Sequence, residues 1–104
     1  MVIKAYFVVR ATIPNPDDRA AFDRWYENEH LPDAMRAFGI THAFRAWNQT
    51  DPSVHCAFYE FPSAAAAEAA TPPAVLGPLI AEFDRHWQGK VTRSREIFEV
   101  VQEV

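Results

Sequence analysis

Residues 22–32 read Phe22-Asp23-Arg24-Trp25-Tyr26-Glu27-Asn28-Glu29-His30-Leu31-Pro32 and place large aromatic rings, carboxylates and a histidine within three helical turns. One helix face, at i, i+3, i+4 and i+8 spacing, carries Phe22, Trp25, Tyr26 and His30. Such a face is typical of a helix that packs against a sheet. We therefore predict that this segment organises the domain and borders a place where a small molecule binds.

Capping signals define where this helix begins. Asn15 can accept a hydrogen bond from the first backbone N–H groups, and Pro16 lacks an N–H that would have no partner there. The carboxylates of residues 17 and 18 favour the positive end of a helix. We predict a helix over residues 16–30.

Pro32 defines where the helix stops. Proline disfavours helical geometry in the residue before it, so we predict a break or kink at Leu31. A short helix over residues 32–37 follows and stops at Gly39. His30 then lies at a helix C-terminus, where the partial negative charge favours a protonated imidazole.

The rest of the chain predicts four strands and two further helices. The strands are β-branched or aromatic runs bounded by turn residues, at residues 2–13, 41–48, 54–61 and 93–104. Ser63 caps an alanine-rich helix, and Gly77-Pro78 interrupts the next segment before a main helix over residues 79–87. The order β-α-β-β-α-β predicts a ferredoxin-like α+β fold, as a single domain over residues 1–104 with a four-stranded antiparallel sheet and helices on one face.

The two middle strands form a hairpin around the turn-rich residues 49–53. One possible register pairs Trp47 with His55, and a slip by one residue would mix the two faces of the hairpin. This register gives one face a polar and aromatic patch able to hold a planar anionic ligand, formed by Arg45, Trp47, His55 and Tyr59. The alternative is plain cross-strand packing, with Arg45 extending to solvent.

Composition excludes several classes of partner. The 104 residues carry a net charge of −4 with no basic run, which argues against nucleic acid or an anionic membrane surface. A single cysteine, Cys56, excludes an internal disulfide and favours a reducing compartment. Because no apolar run approaches about 20 residues, we expect a soluble cytoplasmic protein without a membrane span. The apolar second face of the sheet predicts a homodimer that covers it.

The segment Phe22-x-x-Trp25-Tyr26-x-x-x-His30-x-Pro32, placed between a strand and Gly39, resembles the EthD-like group of the dimeric α+β barrel superfamily. The resemblance implies a homodimer of ferredoxin-like subunits with a pocket between sheet and helices in each. Superfamily members include muconolactone isomerase-like enzymes, polyketide cyclases, cofactor-free ring monooxygenases and haem-degrading proteins. His30 matches the motif histidine, and Phe22, Trp25, Tyr26 and Pro32 match its frame.

These observations lead to a functional hypothesis, a cofactor-independent enzyme that moves a proton on a small aromatic or polyketide-like substrate. His30 transfers the proton, Tyr26 or Tyr59 donates a hydrogen bond to the developing enolate, and Arg45 holds a carboxylate or carbonyl. Carboxylates of residues 27 and 29 are candidates to orient the imidazole. The predicted ligand contacts also include Phe22, Trp25, Trp47 and His55.

Alternatives to this hypothesis stay open. One is a dimer that binds or shields a small hydrophobic molecule without catalysis, with His30 only capping its helix. Another is a monooxygenase, either cofactor-free or haem-dependent. No cofactor is expected. No metal is expected either, because no pair among the four histidines has helical i, i+4 ligand spacing.

Overall fold

The computed structural model describes residues 4–104. In chain order its elements are β1 (Ala5–Thr12), α1 (Pro16–Trp25), a π-helical turn (Tyr26–His30), α2 (Leu31–Phe38), β2 (Ala43–Trp47), β3 (Val54–Phe61), α3 (Ala64–Ala70), α4 (Pro73–Trp87) and β4 (Thr92–Glu99). The strands form one antiparallel sheet in the order β2-β3-β1-β4. This arrangement confirms the predicted ferredoxin-like α+β fold.

The hairpin adopts the register considered in the sequence analysis. Trp47 lies opposite His55, and Phe44 lies opposite Phe58 on the other face. Pairing with β1 continues the same alternation, so one face of the sheet meets the helices and the other does not. The helix-facing side carries most of the core, including Phe7, Val9, Ala57, Tyr59 and Phe61.

The helices complete the core from one side. Phe22 is fully buried at their centre, and Phe83 and Trp87 of α4 pack against it with ring centroids 6.0 and 5.2 Å away. Asn15 caps α1 as predicted, since its side chain accepts a hydrogen bond from the backbone N–H of Asp17.

Pro32 does not break the first helix, contrary to the prediction. Leu31 keeps right-handed helical angles (φ −63°, ψ −48°), and its N–H bonds to the carbonyl of Tyr26, five residues earlier. The π-helical turn joins α1 to α2, so Pro32 falls within the first turn of α2, where a missing N–H costs little. α2 ends as predicted at Gly39, whose φ of +71° is left-handed.

Gly77-Pro78 does not interrupt α4 either, because the helix runs unbroken from Pro73 to Trp87. Pro78 and Ala74 are both exposed, so the carbonyl left without an N–H partner faces water. The predicted helix was therefore too short at its N-terminal end.

The strand limits also differ from the prediction. β4 ends at Glu99 rather than at residue 104, because its ladder with β1 ends at the pair Ala5–Glu99. β1 begins at Ala5 and ends at Thr12, and the predicted strand residues 2 and 3 lie outside the described part of the chain. Within residues 4–104, no helix combines the length and the apolar character needed to cross a membrane.

Candidate functional site

A cleft lies between the helix-facing side of the sheet and the helices α2 and α4. It encloses about 330 Å³ including the part open to solvent, but leaves only about 30 Å³ for the centres of water-sized molecules. The lining is largely apolar and consists of Phe7, Val9, His30, Ala34, Phe38, Tyr59, Leu76, Leu79, Ile80, Phe83, Arg93 and Arg95. The space is sufficient for one or two waters, so a larger ligand requires side chains to move.

His30 lies in the wall of this cleft and is 7% exposed. The indole of Trp25 stacks on its imidazole at 4.6 Å between centroids and an interplanar angle of 18°. Its Nδ1 is buried with no hydrogen-bond partner in the described residues. Loss of solvation lowers the pKa of His30 to about 4, so the imidazole is neutral at pH 7.

This environment corrects two predictions about His30. The helix continues past it, so no free helix C-terminus stabilises a proton on the ring, and burial favours the neutral form instead. Glu27 and Glu29 are exposed and make no hydrogen bond to the imidazole, so neither carboxylate orients it. A structural role in capping helix carbonyls is not seen for its buried Nδ1.

Tyr59 lines the cleft, and Tyr26 stands behind it. Their hydroxyls lie 3.4 Å apart, at the long limit of a hydrogen bond. Burial raises the pKa of Tyr26 to about 12 and raises the pKa of Tyr59 well above its ordinary value. Both phenols therefore keep their protons and can act only as hydrogen-bond donors or acceptors.

Of the predicted patch on the hairpin, Tyr59 lines the cleft, whereas Arg45, Trp47 and His55 do not. Arg45 donates to the Oδ1 of Asp23 at 2.9 Å, and Trp47 donates its indole N–H to the same oxygen at 2.8 Å. The guanidinium also lies 3.3 Å from the Nε2 of His55, which is fully buried. These contacts attach α1 to β2 and already pair the guanidinium of Arg45, the predicted holder of a substrate carboxylate, with a carboxylate of this chain.

Phe22 and Trp25 belong to the core rather than to the cleft lining. Phe22 is fully buried and contacts Trp25, Tyr26 and Trp87, among other rings. Trp47 borders a separate, open hollow beside α1. Of the eight residues predicted to act on a ligand, His30 and Tyr59 line the cleft directly, and the others support or lie apart from it.

Two arginines of β4, Arg93 and Arg95, border the cleft, although their sequence context favours a solvated surface cluster. Arg93 and Arg95 pair with Ala11 and Val9 of β1, which places them on the helix-facing side of the sheet. The sequence does contain a signal for this placement. Arg93 and Arg95 lie four and two residues before Ile97, so all three have the same parity and share one face of the strand, and Ile97 packs against the core. Sequence alone could not decide which face of the strand that parity belonged to.

The histidines do not gather around a common point. Across residues 4–104, no group of three or more His, Cys, Asp or Glu side chains is arranged to hold a metal ion. His55 is buried beside Arg45, while His86 lies at the surface with its Nδ1 3.0 Å from the carbonyl oxygen of Glu82.

Comparison with known proteins identifies the fold. No protein-family model matches the sequence, and no curated protein matches it. Several solved structures match its fold. An ethyl tert-butyl ether D (EthD) family protein from Bacillus halodurans shares 12% identity over 98% of this chain and 100% of its own, with a TM-score of 0.66.

Two further structures give the same result. SnoaB, a cofactor-independent oxygenase from Streptomyces nogalater, shares 15% identity over 98% of this chain and 97% of its own, with a TM-score of 0.61. A dimeric ferredoxin-like protein from an uncultured marine organism shares 18% identity over 97% of this chain and 98% of its own, with a TM-score of 0.50. At these identities the likeness establishes the fold alone, and it agrees with the predicted ferredoxin-like arrangement.

Proposed function

We propose that this protein is a cofactor-independent enzyme that moves a proton on a small aromatic or polyketide-like molecule bound in the cleft, as in an isomerisation or a cyclisation. His30 is the base. The observation that supports this most directly is a neutral imidazole in the wall of an apolar cleft that a protonated tyrosine, Tyr59, also lines.

The proposed reaction uses only groups of this chain. A nitrogen of His30 accepts a proton from an acidic C–H of the substrate, and the electron pair moves into the adjacent carbonyl to form an enolate. Tyr59 donates a hydrogen bond to the enolate oxygen, while Tyr26 fixes the orientation of the Tyr59 hydroxyl. The imidazolium then returns the proton to a different atom of the substrate.

The pKa of His30 limits the substrates that this base can serve. With a pKa of about 4, the imidazole is ready to accept a proton at pH 7 but is a weak base. A carbon flanked by two carbonyl groups, as in a polyketide, has a C–H acidic enough for such a base. Simple ketones are expected to react far more slowly.

A second function is a dimer that binds a small hydrophobic molecule without changing it. It is supported by the apolar lining and by the absence of any carboxylate hydrogen-bonded to His30 within residues 4–104. Cofactor-free or haem-dependent oxygenation is not favoured by any specific contact in the cleft.

We also propose that the protein is a homodimer through the open face of the sheet. Phe44 and Phe98 are 43% and 50% exposed on that face, and the ring of Phe44 stacks on Phe58 at 4.6 Å. Exposed aromatic rings on an otherwise regular sheet favour a covering partner. The dimeric description of one structural neighbour supports a second copy of this chain as that partner.

The enzyme hypothesis is tested by proton exchange, which does not require the natural substrate. Benzoylacetone in D₂O exchanges its acidic C–H, and the loss of that proton signal is followed by NMR with and without the protein. We expect the protein to accelerate exchange, and His30→Phe to reduce the acceleration about 10²–10⁴-fold, because phenylalanine can still stack on Trp25 but cannot accept a proton.

His42→Gln is the matched control, since it removes an exposed histidine that does not line the cleft. It should leave the exchange rate unchanged. Binding of benzoylacetone is measured in parallel by NMR titration. Binding with no accelerated exchange supports the non-catalytic function, and acceleration that survives His30→Phe contradicts the role of His30.

A further inference from the structure

We infer that the cleft binds an organic anion and that Arg95, assisted by Arg93, binds its carboxylate. This inference rests on the proposed function, because it assigns a substrate class to the same cleft. Arg95 takes the role proposed for Arg45 in the sequence analysis. The charge of Arg45 is already neutralised by Asp23 at 2.9 Å, and Glu27 lies 3.6 Å from it.

The two arginines differ in how their charges are balanced. The guanidinium of Arg93 donates to Asp84 at 3.0 Å and lies over the ring of Phe83 at 4.0 Å from its centroid. Arg95 forms no ion pair with any residue of the 4–104 segment. The cleft therefore carries one cation more than its neighbouring carboxylates neutralise.

Arg95 lies where its charge can contact a ligand in the cleft. Its partner in the ladder is Val9, another lining residue, so it projects from the helix-facing side of β4, where its exposed side chain borders the apolar cleft. Loss of solvation and the nearby Arg93 lower the pKa of Arg95 from its ordinary value. A charge in this setting gains more from a bound anion than an arginine in open water does.

The spacing of the pair suits a carboxylate. Alternate residues of a strand lie about 6.6 Å apart on the same face, within the reach of two arginine side chains that converge on one ligand. Guanidinium groups bind carboxylates through paired, parallel hydrogen bonds. Arg93 is held by Asp84 and Phe83, whereas Arg95 is free to turn toward a ligand.

The remaining lining describes the rest of the ligand. Phe7 of β1, Phe38 of α2, and Leu76 and Leu79 of α4 supply apolar surface to the cleft. Both leucines are only half-buried, so they can turn outward and widen a cleft that is too narrow at rest for an aromatic ring. The lining therefore fits a thin, flat apolar body that ends in a carboxylate.

The bound anion also affects His30, the proposed base. A negative charge in the cleft favours the protonated imidazole and so raises its pKa from about 4 toward neutrality. An anionic substrate would therefore make His30 a stronger base when it binds, whereas a neutral substrate would not.

The experiment compares isosteric ligands that differ in charge. Benzoate and benzamide, and phenylacetate and phenylacetamide, are titrated into the full-length ¹⁵N-labelled protein at neutral pH. We expect each carboxylate to bind at least about tenfold more tightly than its amide, with shifts in the Arg95 side-chain Nε–H signal. Arg95→Gln should reduce that preference to within about threefold, and Arg95→Lys should retain part of it.

Arg24→Gln is the control, because Arg24 is an exposed arginine of α1 that borders no part of the cleft, and its loss changes the net charge equally. It should leave the preference unchanged. Equal binding of carboxylate and amide, a preference that survives Arg95→Gln, or no carboxylate binding at millimolar concentration would each overturn the inference.

The same samples separate this inference from the proposed function. Carboxylate binding that depends on Arg95, with no proton exchange that depends on His30, supports the anion site and refutes the enzyme. His30-dependent exchange of neutral benzoylacetone without any carboxylate preference refutes the anion site and leaves the enzyme hypothesis intact.

Discussion

His30 and His55 are two buried imidazoles with different neighbours. His30 faces the cleft and stacks on Trp25, whereas His55 lies beside Arg45 on the far side of Tyr26. The pKa of each is lowered to about 4, chiefly by loss of solvation, and Arg45 contributes to the shift at His55. The folded core is therefore stable only while the imidazoles of His30 and His55 are neutral.

This condition predicts a loss of stability in mild acid. In the unfolded chain both imidazoles recover a pKa near 6.5, so below that pH the unfolded state binds protons that the folded state excludes. The free energy of unfolding should be highest above about pH 6.5. It should fall toward pH 4 by on the order of 3 kcal/mol for each imidazole.

Urea unfolding followed by tryptophan fluorescence at several pH values between about 7 and 4 measures this loss. His30→Phe should remove a large part of the slope, whereas His42→Gln, at an exposed site, should not change it. The pKa of Asp23 is lowered by its hydrogen bonds to Trp47 and Arg45, so its own contribution is lost only as pH falls below this window. Stability that stays flat from pH 6.5 to pH 4 would mean that the imidazoles are not buried as described.

At the scale of the elements, the helical segment Pro16–Trp25 continues through a π-helical turn into α2. An extra residue per turn lets Tyr26 and His30 both point into the domain, with rings 4.9 Å apart, while Glu27 and Glu29 remain at the surface. π-helical turns often occur at functional sites. Here the turn places the proposed base in the cleft wall.

α4 contains an exposed proline, Pro78, in its interior, where proline is unfavourable. A proline in a helix interior removes one backbone hydrogen bond and costs about 3 kcal/mol relative to alanine. We expect Pro78→Ala to stabilise the protein by about 1–3 kcal/mol, measured by thermal or urea unfolding, because the carbonyl of Ala74 regains its N–H partner.

Pro73→Ala is the matched control. Pro73 is the first residue of α4, where its missing N–H has no partner to lose, so its replacement should leave stability unchanged or slightly lower it. If Pro78→Ala is neutral or destabilising, the helix must be distorted around Pro78 in solution.

At the scale of the whole molecule, the open face of the sheet exposes the aromatic rings of Phe44 and Phe98. We expect sedimentation at micromolar concentration to give twice the chain mass. Phe44→Asp or Phe98→Asp should shift the protein to a monomer, because each places a charge among the exposed rings of that face.

Ala21→Asp is the control for the dimer, since Ala21 is exposed on α1, on the opposite side of the sheet. It should leave the assembly unchanged. A wild-type protein that sediments as a monomer would show that the exposed rings have another partner or none.

Much of this fold followed from local pattern. Strand alternation identified the four strands, and helical spacing grouped Phe22, Trp25 and Tyr26 on one buried face. The interruptions at Pro32 and Pro78 were mispredicted, because proline rules describe local preference. Here a π-helical turn and solvent access to a carbonyl satisfied the backbone instead.

By itself the sequence determined the order of the elements and the aromatic neighbours of His30, because these depend on periodicities of two and 3.6 residues along the chain. The register of the hairpin was decided by the tertiary structure, since a slip by one residue keeps the same alternation. Only the tertiary structure decided that Arg45 attaches α1 to the sheet, that Arg95 borders the cleft and that His30 is neutral. Charge state and cavity shape depend on solvent exclusion by residues far apart in sequence, so no local pattern contains them.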